Sequence, residues 1–373
     1  MRRLLLFLPL LAATVAATAP APQGWTSFRG DPQQTGRAAG ELPADLKPLW
    51  TFKAEAGISS TAAISDGSVY VGSLDGYLYA LDLASGKLRW KYKAAGEIKS
   101  SPSVHAGAVY FGDSKGTFHA LDAKTGKARW TFAAEGEIVS SASFAAGCVL
   151  FGSYDQSLYC LAEKDGKVRW KVETDGYVHG TPAVLAEKTG ETVISTGCDG
   201  FLRIVRALDG KEVRRVALGG YVAASPAVAG NRAFLGNFEN QVLAVDLESG
   251  TVAWRYEHAV RKFPYYSSPA VANGTVVIGG RDQMIHALDA ASGKELWTWS
   301  ARSAVDASPV VAGGRVLAAA KNGSIFALDL KTGKPGWRFE AGAPVEASPA
   351  VAAGRLVIGA MDGTLYCFGA QGK

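Results

Sequence analysis

Residues Ala80–Trp90 read ALDLASGKLRW, and close copies return as ALDAKTGKARW at Ala120–Trp130, AVDLESGTVAW at Ala244–Trp254, ALDAASGKELW at Ala287–Trp297 and ALDLKTGKPGW at Ala327–Trp337. Working outward, the closing tryptophan recurs at Trp50, Trp90, Trp130, Trp170, Trp254, Trp297 and Trp337, with 40 residues between each of the first four. The long step from Trp170 to Trp254 spans two units, and Arg214 stands where the missing tryptophan would be. A fixed period of this size marks one supersecondary unit repeated, each burying its apolar faces only against its neighbours.

Each unit predicts four short strands. The first starts at a Ser-Pro step, as at Pro102, Pro182, Pro226, Pro269, Pro309 and Pro349, where a strand facing a sheet edge tolerates a missing N–H at its first residue. In the first unit the second strand is Val69–Gly72 and the third Tyr77–Leu81, joined by the hairpin signal Asp75-Gly76. The fourth carries Lys87, Arg89 and Trp90, charges that guard an outer edge while the indole covers the joint to the next unit. Counting Thr61-Ala62 and Ser141-Ala142 as equivalents gives eight starts. The chain is therefore expected to be all-β, an eight-bladed β-propeller with four antiparallel strands per blade. The last unit begins at Val345 and ends after its third strand at Phe368, so Leu46–Ala54, with Trp50, is expected to complete it and close the ring. Unit four diverges through Arg206, Arg214 and an insertion around Leu185–Glu191, and unit six is preceded by a longer loop, Glu257–Tyr266.

Three segments follow. Residues 1–17 read as a secretory signal, with Arg2 and Arg3 before the apolar run Leu4–Leu11 and small residues up to Ala17. Residues 18–45 form a leading segment, and residues 46–373 the propeller. That places the protein in the periplasm or outside the cell. No stretch is long and apolar enough to span a bilayer. The net charge of +5 over 373 residues is dispersed, without a basic stripe, which argues against nucleic acid as a partner. Of the four cysteines, none lies near the signal to take a lipid anchor. Cys148 and Cys160 share one unit and can approach across a hairpin, but Cys160 and Cys367 stand at the small packing position of Ala80, so packing is the expected role.

The quoted stretches resemble the tryptophan-docking repeat of the pyrroloquinoline-quinone (PQQ) propeller family, and WTSFRGDPQQTG at Trp25–Gly36 resembles the segment that precedes its first blade. The resemblance implies one of two roles. Quinoprotein dehydrogenases of this family bind PQQ and calcium on the axis, are usually much longer, and many carry an adjacent cysteine pair that this sequence lacks. Non-catalytic members of about this size include the BamB-like propeller of outer-membrane β-barrel assembly, a scaffold that contacts the barrel-inserting subunit. The expectation is a monomeric scaffold for a protein partner in the cell envelope. The alternatives are a PQQ- and calcium-dependent dehydrogenase, or a propeller that binds a polysaccharide or other small ligand.

In such a ring the loops entering the first strand and the turns between the second and third share one face. The position two before the repeat Ser or Thr varies around the axis, giving Lys99, His179, Tyr266, Asp306 and Glu346 as an axial binding ring. Asp306 and Glu346 sit in adjacent blades, either converging on calcium or standing as solvated rim residues. The turns supply Tyr154, Phe238, Arg281, Lys321 and Met361, and the longer loop adds Arg261, Phe263 and Tyr265, side chains with the chemistry of interface anchors. No catalytic or zinc constellation is read. Gly112–Gly116 matches G-x-S-x-G but lies in a hairpin turn rather than between strand and helix, and His119 and His286 fall at the packing position of Tyr79.

Overall fold

The computed structural model describes residues 24–187 and 190–371, and the signal predicted at 1–17 lies outside the described residues. The regular structure is eight four-stranded antiparallel sheets arranged as propeller blades. Blade 1 consists of Ala63–Ser65, Ser68–Gly72, Tyr77–Asp82 and Leu88–Lys93. Its two middle strands are apolar and buried on both faces by the adjacent blades, whereas the outermost strand alternates exposed and half-buried residues. The prolines stand one residue before the innermost strand, not at its first position: Pro102 precedes Ser103–His105. The ladder starts only after the chain has turned away from the ring of blade junctions, so no proline N–H is needed.

Blade 8 takes Ala350–Ala352, Arg355–Gly359 and Thr364–Gly369 from the end of the chain and Lys47–Lys53 from its beginning. Trp50 lies opposite Cys367 and Phe52 opposite Leu365 in that closing ladder.

Two sets of contacts join the blades. Each docking indole donates its Nε1–H to a backbone carbonyl of the following blade, as from Trp50 to Leu83 at 2.9 Å and from Trp337 to Leu46 at 2.8 Å. Arg214 reproduces the bond where tryptophan is absent, its Nη1 donating to Leu247 O at 2.6 Å. The turn glycine beneath every indole but that of Trp337 is required twice over: Gly126 has φ +71°, and a Cβ there would lie 2.7 Å from the Trp90 ring. Nearer the axis, the repeat Ser or Thr accepts an N–H from the blade before it. Thus Thr61 N–H donates to Ser101 Oγ at 3.0 Å, Ser101 to Ser141 at 2.9 Å, and so on to Ser308 and Ser348 at 2.9 Å.

The leading segment straps across the ring. Trp25 pairs with Ile64, and the carbonyls of Thr26, Pro32, Gln33, Thr35 and Gly36 accept the N–H groups of Val104, Val184, Val228, Val271 and Val311. Six of the eight innermost strands thereby have a backbone partner on their inner edge. Arg29 is fully buried in the strap and donates to the carbonyls of Ser308, Pro269 and Pro309. Burial pulls its pKa down to about 9, with Asp31 opposing the shift.

The insertion in unit four lengthens the hairpin between its first two strands: Leu185 pairs with Thr192 and Glu187 with Gly190. One expectation changes. Cys148 and Cys160 are joined as a disulfide with Cα atoms 5.4 Å apart, so the small packing position of Cys160 is also a covalent link. Cys148 lies diagonally across the ladder from Cys160, because Cys160 pairs with Leu150 and Cys148 with Ala162.

Candidate functional site: an axial cup and an open face

In every blade the N–H of the turn between the second and third strands donates to a carbonyl of the loop entering the first strand, for example Tyr154 to Glu137 at 2.9 Å and Phe238 to Tyr221 at 2.9 Å. This bond sets turns and loops side by side on one face. Turn side chains then reach forward to the axial residue of the next blade. Tyr154 Oη lies 2.6 Å from His179 Nδ1, and Arg281 meets Asp306, each pair 25 residues apart in sequence. The axial ring and the turn ring predicted separately are thus interlocked.

The axial residues and their partners line a cavity of about 480 Å3. Phe28 of the strap also lines it, so the channel is closed at one end and forms a cup. Its charges are paired. Arg281 binds Asp306 through two bonds of 2.9 Å, Lys321 Nζ sits 2.9 Å from Asp306 and 3.1 Å from Glu346, and Lys99 Nζ is 2.9 Å from Glu137. Burial opposes ionisation of Asp306, but the hydrogen bonds from Arg281 and Lys321 outweigh it and hold the carboxyl below its usual range. Calcium requires six to eight oxygen ligands, whereas these two carboxylates are already held by a lysine and an arginine. The residues at this place do not fit calcium, and no cluster of three acidic, histidine or cysteine ligands exists among the described residues.

The other side of the cup is aromatic. His179 is held between Tyr154 and Tyr266, whose Oη lies 3.5 Å from Nε2. Burial lowers the His179 pKa to about 4, with Glu137 pulling weakly the other way, so the imidazole is neutral at pH 7. Arg281 lies over the Tyr266 ring at 4.5 Å, and Phe238 meets the same ring edge-on at 6.0 Å. Tyr177 stacks on Tyr154 at 4.6 Å.

Outside the cup, Phe263 is exposed, Arg261 is exposed along its length but donates its guanidinium to the Asp282 carbonyl at 2.7 Å, and Phe238 and Met361 are half-buried. Tyr265 does not belong to this face. It is 1% exposed and packs over Gly236, filling the place that Ile98 takes over Gly72. Sequence reasoning missed Tyr177 and Tyr221, which are 49% and 63% exposed, Val260 at 83%, and the roles of Glu137 and Phe28. Glu137, Tyr177 and Tyr221 occupy one repeat position, that of the carbonyl bonded by the turn N–H, so a third variable column in the aligned units carried the signal. His119 and His286 are buried as expected, yet each also bonds an aspartate, Asp113 at 3.0 Å and Asp282 at 2.9 Å. Tyr79 binds Asp75 in the same way at 2.7 Å, which makes these ties structural.

The profile of the family described as outer membrane protein assembly factor BamB matches residues 43–146, 189–297 and 281–373. No curated protein sequence matches the chain. Among solved structures, BamB from Moraxella catarrhalis aligns with a TM-score of 0.76 at 17% identity, over 87% of this chain and all of that one. Quinohemoprotein alcohol dehydrogenase from Comamonas testosteroni aligns at 0.81 with 14% identity, over 94% of this chain and 81% of that one. The computationally designed Ika8 protein aligns at 0.75 with 20% identity, over 87% of this chain and all of that one. At such identities the likeness is one of fold, which an assembly factor, a redox enzyme and a designed protein all share.

Proposed function

Because the chain belongs to the family of outer membrane protein assembly factor BamB, we propose that it is a non-catalytic, protein-binding scaffold of the cell envelope that serves outer-membrane protein assembly. The observation that carries this reading is the set of exposed apolar side chains on one face of blades 4 to 6, Tyr177, Tyr221, Val260 and Phe263. Large exposed apolar side chains on the loops of one face are suited to anchor a partner. The signal-like start of the sequence and the Cys148–Cys160 disulfide support an oxidising compartment outside the cytoplasm. No helix among the described residues is long and apolar enough to cross a membrane.

The test is binding of purified protein to the barrel-inserting subunit of the same organism. The double variant Tyr221→Asp/Phe263→Asp is expected to weaken the complex at least tenfold, about 1.4 kcal/mol. Leu88→Asp, on an outermost strand, is expected to leave it intact. No complex at about 100 μM, weaker than roughly 5.5 kcal/mol of affinity, refutes the partner, and unchanged binding by the double variant refutes the face.

A further inference from the structure

The cup adjoins that docking surface through the stacking of Tyr177 on Tyr154, but its chemistry points to a different kind of occupant. We propose that the axial cup is a binding site for one neutral sugar residue, free or at the end of a glycan.

Charge excludes the other small-ligand classes. Three cations (Lys99, Arg281 and Lys321) face three carboxylates (Glu137, Asp306 and Glu346), and every one of them is paired at 3.1 Å or less. An anion would have to displace carboxylates from the cations, and a metal ion would have to displace the cations from the carboxylates. Either exchange leaves a desolvated charge without a partner. A neutral ligand with many hydroxyls leaves the pairs intact and uses their spare lone pairs and N–H groups.

The walls supply what such a ligand needs. The repeat Ser or Thr of every blade, from Thr61 to Ser348, lines the cavity. Seven of these hydroxyls accept a backbone N–H from the blade before, and none donates its own proton to a protein acceptor among the described residues. They form a ring of unspent donors around the axis. Tyr266 and Tyr154 line the cavity, the first with Arg281 over one face and the second with Tyr177 stacked on one face, and the remaining ring surface is where the C–H face of a pyranose packs. His179 between them engages both ring nitrogens with the two tyrosine hydroxyls, holding the rings in place without adding charge. A volume of about 480 Å3 lies within the usual range of small-molecule sites, and closure by Phe28 admits the end of a glycan but not a chain threaded through the ring.

The experiment is titration of the full chain with D-glucose, N-acetylglucosamine, maltose and chitobiose, read by calorimetry and saturation-transfer NMR. Calcium chloride and inorganic phosphate serve as competing probes. At least one of the sugars is expected to bind saturably, with a dissociation constant below about 5 mM. Binding of the monosaccharide itself identifies a free-sugar site, and binding of a disaccharide alone identifies a glycan end. Tyr266→Ala is expected to weaken binding at least tenfold, and Tyr266→Phe, which keeps the ring, by less than threefold. Circular dichroism and urea midpoints establish that both variants fold. The proposal is overturned if none of the four sugars binds saturably with a dissociation constant below about 5 mM. It is also overturned if the cup takes phosphate or calcium instead, or if Tyr266→Ala binds like the parent.

Discussion

The half-buried imidazole of His179, held between Tyr154 and Tyr266, makes stability depend on pH in a way that one substitution isolates. In the folded protein its pKa is about 4, while in the unfolded chain it is near 6.5. A histidine whose pKa is depressed by folding contributes stability that is complete above about pH 6.5 and is lost as pH falls towards 4, because the unfolded state takes up the proton first. At 1.36 kcal/mol per pH unit the full difference corresponds to roughly 3 kcal/mol. Part of the ring meets water in the cup, which lowers the expectation to about 2 kcal/mol. Protonation also converts the ring's acceptor nitrogen to a donor and so reverses one of its bonds to Tyr154 or Tyr266. The assay is urea unfolding of the parent and His179→Gln at pH 7.5, 6, 5 and about 4. Carboxylates such as Asp306 titrate in both proteins, so the quantity of interest is the difference between the two curves. The parent should lose about 2 kcal/mol more than His179→Gln between pH 7.5 and 4. Parallel curves would show that the imidazole is hydrated and free to ionise, and the account of the cup's aromatic side would fall with it.

Three further outcomes concern the scaffold. Gly107→Ala and Gly126→Ala both place a side chain at φ +71°, but only the second meets an indole, so the first should cost about 1–2 kcal/mol and the second about 1–3 kcal/mol more. Equal losses by urea titration would show that the ring does not press on the turn. Arg214→Trp should stabilise the joint between blades 4 and 5 by about 1 kcal/mol, since a groove of about 380 Å3 there already has the glycine at Gly250 that other joints use under their indole. A loss of stability instead would mean the groove is shaped around the guanidinium. Removing the disulfide with Cys148→Ser/Cys160→Ser, or with a reductant, should lower unfolding stability by about 2–3 kcal/mol for a 12-residue separation. No change with either treatment would show that the hairpin holds the same conformation in the unfolded ensemble.

The propeller could be read from sequence because its determinants are local and repeated eightfold. Each Asp-Gly or Ser-Gly turn, apolar run and docking tryptophan reinforces the same unit, and a partial unit at one end matches a stray tryptophan strand at the other. The strap was not legible in its course. Trp25–Gly36 has no period, and its bonds run through backbone carbonyls that any residue type supplies. Tyr265 shows a different failure. An exposed-looking tyrosine in a polar loop lies in the same repeat column as Ile58, Ile98 and Ile138, all buried, and aligning the column would have turned it inward. The pairing of Asp306 and Glu346 with Arg281 and Lys321 was also within reach. The turn residue of one blade meets the axial residue of the next at a constant spacing of 25, visible once two such pairs are compared. Disulfide formation by Cys148 and Cys160 depends on a diagonal approach across a twisted ladder, which composition does not encode.

Closure of the circle by the two ends of the polypeptide has a cost during biosynthesis. Lys53 and Asp362 form an ion pair although 309 residues separate them. The strand Lys47–Lys53 is among the earliest stretches of the fold to leave the ribosome, and its partner is among the last. Until then it is an orphan edge bearing Trp50 and Phe52, available to a second nascent molecule. Overexpression should therefore yield intertwined chains before it yields unfolded ones.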